Sequence, residues 1–62
     1  MASFAEKKLF FQLNQITDDE HFINRIISIL KTDENFEKMS AFIESGKTDK
    51  SSIISKALVL EE

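Results

Sequence analysis

Hydrophobic residues recur every three or four positions along most of this chain, the spacing with which an α-helix presents one apolar face. The pattern is clearest between residues 18 and 31, where six apolar side chains fall within an arc of about 160° at about 100° per residue. Adjacent apolar pairs such as Ile26–Ile27 break the alternation of a strand. This segment is therefore predicted as the central helix, with a face formed by Phe22, Ile23, Ile26, Ile27, Ile29 and Leu30.

Two later segments show the same helical period. The third gathers its apolar side chains on one face, consisting of Phe36, Met39, Phe42 and Ile43. The fourth gathers Ile53, Ile54, Ala57, Leu58 and Leu60. Val59 alone is left on its polar side. Aromatic and methionine residues at this spacing are typical of a hydrophobic core, so both faces are predicted to point inward.

Each helical segment begins with a residue suited to an N-cap, and the four candidates are Ser3, Thr17, Thr32, and Thr48 or Asp49. Ser3 and Thr17 are each followed three residues later by a glutamate, which completes the capping-box pattern. Gly46, the only glycine, suits the left-handed position that ends a helix. The chain is therefore predicted to be a single all-α domain, residues 1–62, with four short helices at about 3–15, 18–31, 33–45 and 49–60. The short loops favour antiparallel packing of consecutive helices.

The first helix is apolar on two sides. Ala5, Leu9, Leu13 and Ile16 form one stripe, whereas Phe4 and Phe11 lie on the opposite side and Phe10 falls between the two. A chain this short can hardly enclose a helix on both sides. We therefore predict that Phe4, Phe10 and Phe11 form an interface with another protein. The alternative is that the first turn frays and Phe11 packs onto the core.

The length and composition point to association as a source of stability. A chain of 62 residues buries only about 60% of the surface that it exposes when unfolded, and domains of this size usually need a staple. The sequence has no cysteine and a single histidine, which excludes disulfides and thiolate or multi-histidine metal sites. A homodimer is therefore expected.

The charge distribution bears on the kind of partner. The formal net charge is −3, and residues 32–62 hold four lysines against seven acids. This acidity argues against strong non-specific attraction to nucleic acid and against a basic membrane-surface helix. Apolar runs such as Leu9–Phe11 are too short for a signal peptide or a membrane span. A cytoplasmic protein without a membrane partner is expected.

The sequence offers little catalytic chemistry. His21 lies on a polar face, with Asp18 and Arg25 as its neighbours one helical turn away, as in a solvated side chain. One glycine does not allow a phosphate loop, and no metal-ligand or nucleophile motif is present. We therefore expect no enzymatic activity, no cofactor, no metal and no small-molecule substrate.

The segment GKTDKSSIISKAL, residues 46–58, resembles the turn and second helix of ribbon–helix–helix DNA-binding regulators. The matching positions are Gly46, Ser51, Ile53, Ile54, Ala57 and Leu58. The resemblance implies an obligate dimer that inserts a two-stranded ribbon into the major groove and clamps a phosphate at Ser51. The ribbon strand would fall on about residues 25–31, where the periodicity predicts a helix.

Two functional hypotheses follow. The first is a small non-catalytic protein that acts through helix–helix contacts, as a homodimer. The alternative is a dimeric DNA-binding transcriptional regulator of ribbon–helix–helix or helix–turn–helix type. That alternative needs a localised basic surface, in which Lys47, Lys50 and Lys56 lie together with Arg25 or Lys31 and away from the acids. Its candidate contacts are Lys47, Lys50, Ser51, Ser52, Ser55 and Lys56.

Overall fold

A computed structural model describes residues 3–61 and confirms the all-α prediction. Four helices follow one another with short connections and no strand among these residues. They are α1 (Phe4–Ile16), α2 (Glu20–Leu30), α3 (Asp33–Glu44) and α4 (Lys50–Glu61). The segment that a ribbon would need as a strand lies within α2, and Lys31 follows the end of that helix.

Three of the predicted N-caps are confirmed by side-chain hydrogen bonds. Ser3 Oγ accepts from the Glu6 amide at the start of α1, and Thr32 Oγ1 accepts from the Asn35 amide at the start of α3. The Asp49 carboxylate accepts from the Ser52 amide at 2.9 Å, which identifies Asp49 rather than Thr48 as the cap of α4. Each bond satisfies a backbone amide that has no partner within its helix.

The start of α2 corrects the sequence prediction. Thr17 does not cap this helix; it ends α1, and its hydroxyl accepts from the Asp19 amide at 3.1 Å. Asp19 is the cap, because its carboxylate accepts from the Phe22 amide at 3.2 Å. The helix therefore begins at Glu20, two residues later than predicted.

The helix ends also use unusual backbone conformations. Gly46 follows α3 with a φ of 107°, as predicted for a helix-ending glycine. Lys31, the residue that ends α2, has a φ of 68° although it carries a side chain. The Thr32 amide donates to the Leu30 carbonyl at 2.8 Å, so Lys31 is the central residue of a tight γ-turn.

The core is built from the predicted inward faces. Its buried hydrophobic residues come from all four helices and are Ala5, Leu9, Leu13, Phe22, Ile23, Ile26, Leu30, Phe36, Met39, Ile43, Ile53 and Ala57. Ile54 and Leu60 are partly buried against it. The prediction that Leu58 points inward is wrong. Leu58 is 44% exposed, because α4 buries only a narrow stripe through Ile53 and Ala57.

The tightest helix pairs are not consecutive in sequence. α1 packs mainly on α3, and α2 packs mainly on α4, whereas α1 and α4 make no close contact. Within each main pair the two helices run in the same direction. Ser3 at the start of α1 bonds to Asp33 at the start of α3, and Gln12 bonds to Glu44 at the end of α3. α2 contacts every other helix, as expected for a central helix, and α3 shares that position.

Candidate interaction surface

The outward face of α1 carries exposed aromatic side chains. Phe4 is 82% exposed and Phe11 is 65% exposed. They are seven positions apart, which is two helical turns or about 10.5 Å. Phe10, on the flank of this face, is 42% exposed. Leu9 and Leu13 occupy the opposite side of the helix and are fully buried against α3 and its neighbours. Because that stripe is buried in the core, the phenylalanines on the opposite side of the helix face the solvent.

Phe11 stands between two open grooves. One groove lies along α1 itself and is lined by Glu6, Lys7, Phe10, Phe11 and Asn14. The other lies between α1 and the end of α3, and its lining is Phe11, Gln12, Gln15, Ile16, Ile43 and Thr48. A projecting ring flanked by grooves is the shape that packs against a second helix, in the manner of ridges into grooves.

The two lysines of this face have different surroundings. Lys8 Nζ lies 3.2 Å from Glu44 Oε2, and Gln12 Nε2 donates to the same oxygen. These hydrogen bonds, that of Lys8 foremost, hold the pKa of Glu44 below its ordinary value of 4.5. Lys7 is exposed and makes no ion pair with any of residues 3–61. Lys8 is therefore engaged in joining α1 to α3, and Lys7 is the lysine that another molecule can meet.

The candidate nucleic-acid contacts are divided between two places. A groove between α3 and α4 brings five of them together, and its lining consists of Lys47, Ser51, Ser52, Ser55 and Lys56 with Phe42 and Val59. The Lys56 ammonium lies 5.5 Å from the centre of the Phe42 ring. Lys50 points elsewhere: its ammonium lies 3.3 Å from the Asp19 carboxylate and 5.2 Å from the centre of the Phe22 ring.

Two further carboxyl groups with lowered pKa values, those of Asp19 and Asp49, have structural roles. The Phe22 amide, followed by Lys50, lowers the pKa of Asp19 below its ordinary value of 3.8. The Ser52 amide does the same for the pKa of Asp49. Both carboxylates are helix caps, and His21 is exposed. Within residues 3–61 no three histidine, cysteine or acidic side chains are grouped closely enough to hold a metal ion.

The exposure of one apolar pair on α4, Leu58 and Val59, was predicted for only one of the two residues. Val59 was predicted to be outward-facing and is 63% exposed, but its neighbour Leu58 was assigned to the core. Both lie on α4, and α4 makes no close contact with α1. The exposure of Leu58 has no signal in the sequence, because an apolar residue at the edge of a helical stripe fits either environment.

No family model matches the sequence, and no curated protein or solved structure matches it either. Among the helices of residues 3–61, none combines the length and the apolar character that crossing a membrane requires.

Proposed function

We propose that this chain is a small non-catalytic protein that acts through helix–helix contact, with the outward face of α1 as its contact surface and a homodimer as its working form. The observation that carries the proposal is the two-sided character of α1. The helix buries Leu9 and Leu13 within the chain while it exposes Phe4 and Phe11 two turns apart on the other side.

The energetics favour an occupied surface. Burying a phenylalanine side chain stabilises by about 1.5–3 kcal/mol, so two exposed rings on one face are a substantial source of binding energy. Aromatic residues near the centre of an interface commonly contribute most of its affinity. Phe10 widens the apolar area on the flank that adjoins the α1 groove. A second helix laid along α1 would cover all three rings at once.

The non-catalytic part of the proposal draws on the roles of the charged side chains. The carboxyl groups with lowered pKa values are engaged in structure: Asp19 and Asp49 cap helices, and Glu44 joins α3 to α1. Lowered pKa values keep these groups ionised near neutral pH, which suits capping and ion pairing better than proton transfer.

The test is the molecular mass in solution of the chain and of the double variant Phe4→Ser/Phe11→Ser, measured by sedimentation equilibrium. The unaltered protein should have twice the 7.1 kDa mass of one chain. The double variant should be a folded monomer with an unchanged helical circular dichroism spectrum, because neither ring contributes to the core.

A matched control is Leu58→Ser/Val59→Ser, which removes two exposed apolar side chains from α4 instead. This variant should remain dimeric. The proposal fails if the unaltered chain is monomeric at high micromolar concentration, or if the two double variants associate equally well. It also fails if Phe4→Ser/Phe11→Ser unfolds, since the rings would then belong to the core.

A second candidate function is DNA binding by a dimeric regulator, and the groove between α3 and α4 is the observation in its favour. Two lysines and three serines line this groove, and such side chains bind phosphate oxygens. Lys47→Glu/Lys56→Glu should then abolish the fluorescence-anisotropy change of a labelled DNA duplex. Lys38→Glu is the control, because Lys38 already pairs with Glu34 on α3. A chain that gives no anisotropy change at low salt would rule this function out.

A further inference from the structure

A cavity between α1 and α3 shares no residue with the two grooves beside Phe11. Its volume is about 330 Å³, and its lining consists of Phe4, Ala5, Lys8, Glu37, Ser40, Ala41 and Glu44. Three of these side chains are small, those of Ala5, Ser40 and Ala41, and they leave the space that the cavity occupies. Pockets that bind small molecules start at about 300 Å³, so this cavity has room for one side chain or a molecule of similar size.

The hydroxyl of Ser40 is an unsatisfied polar group in the lining of this cavity. Ser40 is 3% exposed, and its Oγ has no hydrogen-bond partner among the described residues. A buried hydroxyl without a partner destabilises the folded chain, and a ligand that bonds to it removes that cost. The Phe4 ring in the lining lies at the first position of α1 and is largely exposed. A ring with so few contacts can turn and give a ligand access to the covered Ser40 oxygen.

The charged side chains around Ser40 leave one carboxylate without a partner. Glu37 and Glu44 lie three positions before and four positions after Ser40, and at these spacings they are its neighbours on one helix face. The Glu44 carboxylate pairs with Lys8, whereas Glu37 forms no ion pair with the described residues. The lining thus contains one positive and two negative side chains, and the uncompensated negative charge is that of Glu37.

This combination selects a cationic ligand that donates hydrogen bonds. A primary ammonium has three donors and no acceptor, so it can bond to the Ser40 hydroxyl and the Glu37 carboxylate together. An aromatic ring attracts a cation over its face, and Phe4 places such a ring in the lining. A metal ion fits less well, because Glu37 and Glu44 lie two helical turns apart, or about 10.5 Å, whereas metal–oxygen bonds span about 2.0–2.6 Å.

We infer that the cavity between α1 and α3 binds a primary ammonium group on an aliphatic arm, with Ser40 and Glu37 as its hydrogen-bond acceptors and the Phe4 ring against it. Lysine side chains and free alkylamines share this chemistry. The inference goes beyond the proposed function, because the whole lining belongs to one chain and includes neither Phe10 nor Phe11. Phe4 alone belongs both to the contact surface and to the cavity.

The test is a titration of the isotope-labelled chain with n-butylammonium at constant pH and ionic strength, followed by backbone amide chemical shifts. The amides of Ala5, Ser40 and Ala41 should shift saturably, with a dissociation constant on the order of 1–10 mM. Pentanoate and n-butanol carry the same four-carbon arm with a negative charge and with no charge. Each should bind at least about tenfold more weakly than n-butylammonium.

Two variants identify the acceptors. Glu37→Gln keeps the size of the side chain and removes its charge, and it should weaken n-butylammonium binding about fivefold. Ser40→Ala removes the hydroxyl and should weaken binding about fivefold as well. The control is Glu61→Gln, which makes the same charge change at an exposed position of α4 and should leave the dissociation constant unchanged. All three variants should keep the helical circular dichroism spectrum.

A second ligand distinguishes the two sources of the ammonium group. Nα-acetyl-lysine amide carries this group on a four-carbon arm that is attached to a peptide backbone. If it binds more tightly than n-butylammonium, the site takes a lysine side chain of another protein. If its binding is equal or weaker, the site takes a free amine.

The outcomes separate this inference from the proposed function. Saturable binding of n-butylammonium that exceeds the binding of both control ligands and is weakened by Glu37→Gln and by Ser40→Ala supports the inference. Equal shifts with the three ligands, no saturable shift, or an affinity that either variant leaves unchanged overturns it. The homodimer is judged by the mass in solution, which Glu37→Gln and Ser40→Ala should not change. A monomeric chain that binds n-butylammonium therefore overturns the homodimer alone.

Discussion

The ammonium of Lys50 lies 3.3 Å from the carboxylate of Asp19 and ties the first turn of α4 to the residue that caps α2. The two side chains are 31 positions apart in the sequence. Asp19 uses its other carboxylate oxygen to accept from the Phe22 amide, and the Lys50 ammonium also lies over the Phe22 ring. One carboxylate therefore starts a helix and aligns a second helix beside it.

This double role predicts an order of stabilities. Asp19→Ala removes both the cap and the ion pair, whereas Asp19→Asn keeps a capping oxygen and loses only the charge. The urea midpoint, followed by circular dichroism, should therefore fall more for Asp19→Ala than for Asp19→Asn. Lys50→Gln should resemble Asp19→Asn. Equal midpoints for the two Asp19 variants would contradict the capping role.

The lowered pKa values of Asp19, Glu44 and Asp49 predict acid sensitivity. Because each group has a lower pKa when folded than when unfolded, the folded chain binds fewer protons and its stability is highest above the ordinary values of 3.8 and 4.5. That stability should be lost as the pH falls from about 5 through the folded pKa values. Urea midpoints measured across this range provide the check.

The control for acid sensitivity is Asp19→Asn/Glu44→Gln/Asp49→Asn, in which none of the three positions can titrate. Its urea midpoint should be lower than that of the unaltered chain at neutral pH and should change less as the pH falls. If both proteins lose stability with the same pH dependence, other carboxyl groups are responsible.

Replacing Lys31, the central residue of the γ-turn, with glycine is predicted to stabilise the folded chain. The φ of 68° at Lys31 places a side chain in a conformation that costs about 1–3 kcal/mol. Lys31→Gly removes that strain and adds about 0.5–1 kcal/mol of chain entropy to the unfolded state. The free energy of unfolding should therefore rise by about 1 kcal/mol. Lys31→Ala, which keeps the β-carbon, should show no such gain; an equal gain would show that the turn is unstrained.

Replacing Ser40 with alanine is predicted to be a second stabilising change. Ser40 is buried on α3 beside α1, and its hydroxyl has no hydrogen-bond partner among the described residues. An unsatisfied buried polar group costs about 1–3 kcal/mol. Ser40→Ala should therefore raise the free energy of unfolding by about 1–2 kcal/mol. Ser28→Ala, at an exposed position of α2, should gain only about 0.5 kcal/mol from helix propensity. A destabilised Ser40→Ala would mean that the hydroxyl is hydrogen-bonded.

The start of α2 shows where sequence analysis stops being sufficient. Thr17, Asp18 and Asp19 are all chemically able to cap a helix, and the glutamate at position 20 favoured Thr17. The choice of Asp19 coincides with its ion pair to Lys50, which comes from the opposite half of the chain. At the start of α3 the Thr32 cap was predicted correctly, and the adjacent Asp33 is the first residue of the helix.

The same distinction applies to the candidate interface. The sequence located two apolar sides on α1 but left open whether Phe11 would pack onto the core. The packing of Leu9 and Leu13 against the rest of the core left Phe11 exposed. On α4 the apolar stripe was wider than the surface that α2 and α3 cover, and Leu58 was therefore assigned incorrectly.

By itself the sequence determined the four helices, most of their caps and the faces that enter the core. These features depend on hydrogen bonds across three or four residues and on the helical period, so they are set locally. The tertiary structure alone decided that α1 packs mainly on α3 and α2 mainly on α4. Those pairings rest on contacts such as Ser3–Asp33 and Gln12–Glu44, which join residues 30 and 32 positions apart. No local pattern specifies contacts at that separation, because they form only when the inward faces of all four helices share one core.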